Sequence, residues 1–170
     1  LAKGGKSTLW LWDREKKTHR QLTTEGFENA QLECFSPDSR SIVYESRRTG
    51  TRDLWRVDVG TGEREQLTQD VADDTNGRWS PDGTRIAFRS NRGGQPDLWV
   101  LGTGEGDVQR VPDDALPENE PAWTPDGRTI VADVPEGQRH LYSLPAAGGA
   151  AVQLTSGDWG LEQEAAVSRD

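Results

Sequence analysis

The chain has 170 residues, with 29 Asp and Glu against 20 Lys and Arg, and a formal net charge of −9. That balance leaves no basic face to neutralise phosphates, so a nucleic acid partner is not expected. Hydrophobic residues make up only 32%, but seven Trp supply large buried area, no apolar run is long enough to span a membrane, and a lone cysteine, Cys34, excludes an internal disulfide.

In chain order, the first elements expected are two strands, Ser7 to Asp13 and Thr18 to Thr23, carrying Leu9-Trp10 and Gln21-Leu22-Thr23. Next comes a strand ending in Phe35-Ser36-Pro37-Asp38, and that phrase returns every 44 residues as Trp79-Ser80-Pro81-Asp82 and Trp123-Thr124-Pro125-Asp126. A degraded copy, Val167-Ser168-Arg169-Asp170, stands one period further on. After each phrase an alternating strand follows: Ser41 to Glu45, Arg85 to Arg89 and Thr129 to Ala132. A third strand carries Leu54-Trp55, Leu98-Trp99 or Leu141-Tyr142. A branched apolar residue lies 12 positions after each of these aromatics, and after Trp10: Leu22, Leu67, Val111 and Leu154. Three of the four sit in Gln-Leu-Thr, assigned to a fourth strand. In the Pro-Asp-Gly turn, Pro presets φ, Asp bonds back to the backbone and Gly accepts positive φ. Ser39 replaces the glycine in one copy, where strain is expected.

Short strands with frequent turn signals, and no sustained helical period, indicate an all-β fold. Four antiparallel strands in a repeat of about 40–45 residues is the size of a β-propeller blade. The Trp-Ser-Pro-Asp-Gly turn, the Asp-Leu-Trp strand and the Gln-Leu-Thr strand resemble the TolB-type, WD40-like Pro-Asp propeller repeat. The same repeat builds the propellers of prolyl-oligopeptidase-family peptidases and some extracytoplasmic sensor domains. The resemblance implies a non-catalytic scaffold binding a protein or peptide, in a bacterial periplasm or outside the cell. The alternatives are a gate in front of a cytoplasmic serine peptidase and the sensor of a membrane-bound regulator.

The expected division is a partial blade at 1–24, blades at 25–68, 69–112 and 113–155, and an inner strand of a further or shared blade at 156–170. About four repeats belonging to a larger propeller are expected. Self-association through the split blade, or a closed four-bladed ring, are the other arrangements.

Acids and amides recur in the loops leading into each first strand. They include Glu25, Glu28 and Asn29; Asp73, Asp74 and Asn76; Glu118, Asn119 and Glu120; and Asp158, Glu162 and Glu164. The first strand of a blade is innermost, so these residues would form an acidic rim near the axis, suited to a basic peptide or a cation in the central channel. The simpler reading is that loops of an acidic protein are acidic. Asp70 to Gly77 fails as a calcium loop, because Ala72 and Gly83 stand where acids are needed. Gly5-Lys6-Ser7-Thr8 lacks the leading glycine of a P-loop. There is no Gly-x-Ser-x-Gly elbow, no zinc spacing and no nucleophile–base pair, so neither catalytic residues nor a cofactor are expected. Trp10, Trp55, Trp99, Tyr142, Trp79 and Trp123 are assigned to packing and Cys34 to the interior. Trp12 and Trp159 are read as falling outside the repeat and are candidates for an exposed contact surface, and His19 and His140 for surface positions.

Overall fold

A computed structural model describes residues 8–24, 28–104, 106–111, 120–136, 138–147 and 149–155, with the backbone alone at 28–33, 133–136 and 138–140. Every regular element in it is a strand. β1 (Trp10–Asp13) and β2 (Thr18–Gln21) form a hairpin. The first four-stranded sheet is β3 (Glu28–Phe35), β4 (Ser41–Ser46), β5 (Asp53–Asp58) and β6 (Arg64–Gln66). The second is β7 (Asp74–Trp79), β8 (Arg85–Ser90), β9 (Asp97–Gly102) and β10 (Val108–Arg110). The third is β11 (Ala122–Trp123), β12 (Thr129–Glu136), β13 (Gln138–Pro145) and β14 (Val152–Gln153). Each is an antiparallel meander in chain order, the blade of a β-propeller.

The recurring hydroxyl, proline and acid build one turn three times. Ser80 Oγ donates to Asp82 Oδ1 at 2.6 Å and accepts from Arg85 N at 3.0 Å. Ser36 and Thr124 do the same with Asp38 and Asp126, also at 2.6 Å. The third corner has positive φ throughout: Ser39 at +59°, Gly83 at +72°, Gly127 at +67°. Ser39 is therefore the strained member that its sequence suggests. A Cβ on Gly83 would lie 3.7 Å from Pro37, and one on Gly127 3.6 Å from Pro81, so successive turns abut.

Gln-Leu-Thr differs from its assignment. The fourth strand ends at Gln21, Gln66 or Gln153, and Leu-Thr follows it. The leucine N–H adds one last bond to the third-strand leucine, as from Leu67 to Leu54 O at 2.8 Å. The threonine hydroxyl then accepts from that same leucine's N–H: Thr23 from Leu9 at 2.8 Å, Thr68 from Leu54 and Thr155 from Leu141 at 3.0 Å. The motif thus satisfies the backbone donor at the start of the third strand, a donor that is costly to bury unpaired.

The core lies between sheets. One cluster joins Leu9 and Leu22 of the hairpin to Ile42, Tyr44, Trp55 and Val57 of the first sheet. The next joins Val43 and Leu54 to Trp79, Ile86, Phe88 and Leu101 of the second. The last joins Ala87, Leu98, Val100 and Val111 to Trp123, Ile130, Ala132 and Leu144 of the third. Strand alternation explains Leu-Trp: Leu54 enters the interface with the following sheet, and Trp55 the interface with the preceding one.

Two assignments change here. Trp12 lies within the repeat, at the place of Val57, Leu101 and Leu144 on the third strand. Trp10 is 55% exposed rather than packed, because among the described residues no sheet precedes the hairpin. Cys34 is half-buried against the cluster around Leu54.

Candidate functional site

β7 packs against β3, β4 and β5 and also touches β11, so the first strands of successive sheets lie side by side. Each of the two longer ones is interrupted. Pairing of β7 with β8 shifts between Thr75 and Arg78, and pairing of β3 with β4 shifts between Asn29 and Cys34. Bulges of this kind turn a strand and re-aim a side chain. Asn76 sits in the first shift with φ +59°, and Glu120, at the corresponding place before β11, has φ +20°. Gly77 follows because a Cβ there would come within 3.2 Å of Leu54 and 3.3 Å of Val43. The bulge is held by a buried acid that sequence reasoning missed. Glu45 on β4 is 1% exposed, and its Oε1 accepts the Asn76 N–H at 2.8 Å.

The structure separates the predicted acids. Glu120 is exposed and Asn76 half-buried. Asp73 is committed to the neighbouring sheet: Oδ1 accepts from Arg52 N at 3.0 Å, and Oδ2 meets the Arg52 guanidinium at 3.2 Å. The Arg52 backbone bond, helped by that cation, holds its carboxyl below the ordinary range.

Asp74 is not part of a rim. It is fully buried and pairs with Arg92 Nη2 at 2.6 Å. Burial pushes its carboxyl above the ordinary value, against the pull of bonds from Ser90 and Thr68 and of Arg92. Arg92 also lies over the Phe88 and Trp99 rings, 5.4 and 5.0 Å from their centres, and Arg48 lies 4.6 Å over Trp55. These arginines stand 44 residues apart, each two places after a serine, and that spacing was the available signal. Glu28 pairs with Ser46 as Asp74 pairs with Ser90, so the two acids hold equivalent backbone positions. Glu118, Glu162, Glu164 and Trp159 lie outside the described residues.

Trp12 is 58% exposed and stacks with His19 across the hairpin, their rings 6.2 Å apart. His140 lies on β13 opposite Val134. Among the described residues no three His, Cys, Asp or Glu side chains converge as a metal site requires. No described helix is long and apolar enough to cross a membrane. Two clefts, of about 240 and about 370 Å³, open beside the Ser36–Pro37 turn and beside Arg110, and neither contains a predicted rim residue.

A family model for the TolB beta propeller domain matches residues 3–168. The chain belongs to that family. TolB from Acinetobacter baumannii superposes with a TM-score of 0.75 at 25% identity, over 89% of this chain and 39% of that one. The putative TolB from Agrobacterium tumefaciens gives 0.78 at 24%, over 91% of this chain and 58% of that one. A puromycin hydrolase S511A mutant complexed with PGG shares the fold, with a TM-score of 0.64 at 17% identity, over 83% of this chain and 24% of that one. This chain thus spans less than two thirds of each of these proteins. No curated protein shows significant similarity to it. The match spans the hairpin and all three four-stranded sheets.

Proposed function

We propose that this TolB-type propeller is a non-catalytic binding module. It takes a basic protein or peptide segment on the face where the chain enters its innermost strands. The observation that carries the reading is the pair Asn76 and Glu120. Both stand three residues before the tryptophan that ends an innermost strand, Trp79 or Trp123, each with positive φ, and Glu120 is exposed. Glu164, 44 residues after Glu120, extends this face by its place in the repeat, whereas Glu28 shares the pairing position of Asp74, and Glu118 and Glu162 follow Asp74 at 44-residue spacing. Asp73 and Asp74 serve as its supports, tying the loop to Arg52 and Arg92. Rigid sheets hold these short loops in place before binding, so little loop entropy is lost on association. A cation at the axis is a weaker form of the reading, supported only by the sign of the charge. The family match favours a periplasmic or extracellular setting.

A second reading is favoured by the likeness to puromycin hydrolase: the propeller gates a hydrolase domain carried elsewhere in its protein. A sensor domain has no observation of its own in its favour.

Binding of a panel of Lys- and Arg-rich peptides to the wild-type chain and to Glu120→Lys, by fluorescence anisotropy, tests the leading reading. Charge reversal is expected to weaken binding by about 3- to 10-fold at low salt, with the difference shrinking as salt rises. Binding that is indifferent to Glu120→Lys would place the site on another face.

A further inference from the structure

The junction between the first and second sheets lacks a cation that the junction between the second and third has. At the later junction Arg85 lies 4.8 Å over the Trp123 ring and donates from Nη2 to Gly127 O at 2.7 Å. One period earlier these three places hold Ser41, Trp79 and Gly83. The turns approach equally closely at both junctions: a Cβ on Gly83 would lie 3.7 Å from Pro37, and one on Gly127 3.6 Å from Pro81. Shortening arginine to serine therefore leaves a space instead of a closed joint. The cleft of about 240 Å³ lies there, with Ser41, Trp79 and Gly83 in its wall. Among the described residues no cation lies over the Trp79 ring.

The rest of the wall suits a guanidinium. Asp38 and Asp82 both line the cleft. Each spends Oδ1 on its own turn, and its Oδ2 takes no hydrogen bond among the described residues. Bonds within the turns hold both carboxyls below the ordinary value, so both are ionised at neutral pH. Thr103 Oγ1 lies 3.2 Å from Gly83 O, but it has one proton and is nearer to Thr84 O, at 3.0 Å. Gly83 O can therefore accept the bond that Gly127 O accepts from Arg85. Arg56, the cation among the lining residues, is paired with Glu65 across the sheet. We propose that the cleft takes the guanidinium of an arginine side chain from a protein or peptide partner, set over Trp79 as the chain sets its own Arg85 over Trp123. A planar, weakly hydrated guanidinium engages a ring and a carbonyl together better than an ammonium does. The cleft opens at the exit ends of β3 and β7, whereas Glu120 stands where the chain enters β11, so this site is separate from the acidic loop face and does not depend on it.

Titration of the isotope-labelled chain with acetyl-arginine amide, followed by NMR at the assigned indole N–H signal of Trp79, tests this. The expected result is a saturable shift, with acetyl-lysine amide binding at least about 5-fold more weakly. Glu120→Lys should leave the affinity within about 2-fold of the wild type at physiological salt, which separates this site from the acidic loop face. Ser41→Arg should abolish the titration, because the chain then supplies its own guanidinium, and Ser41→Ala should preserve it. Ser41→Gln, which fills the same space without charge, replaces Ser41→Arg if that variant loses its β circular dichroism. An unmoved Trp79 signal, an equal response to the lysine compound, or undiminished binding by the filled variant overturns the proposal. Tighter binding of free arginine than of the blocked form overturns its assignment to a protein or peptide.

Discussion

At the scale of single residues, the repeated turn is where chemistry and fold meet. Asp82 accepts from Ser80 Oγ and from the Thr84 N–H, and these bonds lower its carboxyl from 3.8 to about 2. Protonation abolishes them. The stability tied to Asp82 is therefore complete above the unfolded value of 3.8 and is lost as pH falls through about 2. Urea unfolding from neutral pH down to that range should show the advantage of the wild type over Asp82→Asn shrinking across this window; a constant difference would detach the turn from acid stability. Ser39→Gly should raise stability by up to about 1 kcal/mol, because Ser39 alone of the three corners bears a Cβ at positive φ. A loss of stability would mean that the Ser39 side chain contributes something its backbone strain conceals. The need for glycine at this corner was legible because two of three copies supply it. The burial of Asp74 was not, since an acid beside Asp73 in a polar loop carries no sign of an Arg92 arriving from the next strand.

At the scale of strands, period-two alternation sends neighbouring residues into different interfaces. Trp55 is 8% exposed between two sheets, and Trp55→Ala should destabilise by about 3–5 kcal/mol. Trp10→Ala, at the same place on the uncovered hairpin, should cost under about 1 kcal/mol in dilute solution. Equal losses in chemical denaturation would put the two rings in equivalent surroundings. The strands of the second sheet were readable almost residue for residue because Ile86, Phe88, Leu98 and Leu101 mark both faces. Trp12 was misplaced because Trp10 and Trp55 stand 45 residues apart while Trp55 and Trp99 stand 44 apart, so a strict period slides past it. The threonine of Gln-Leu-Thr was read as strand because its bond is made by a side chain, and hydropathy alternation does not register that.

At the scale of the whole molecule, the candidate site depends on the first strands lying together. Their crowding forces Gly77 against Leu54, and Asn76 and Glu120 stand at matching places with positive φ, three residues before Trp79 and Trp123. Which acids recur was visible in the repeat. Which of them are spent on arginines was not, because Arg52 and Arg92 reach them from residues 21 and 18 positions away. The Leu-Trp alternation has a consequence beyond packing. Every 44-residue unit carries both mating surfaces, its leucine side for the unit after it and its aromatic side for the unit before. A tandem gene duplication of one unit would therefore import a complete pair of matched surfaces and require no new ones. Blade number can drift by unequal recombination while each joint stays chemically the same, and reversing a unit would set leucine against leucine and break two joints at once.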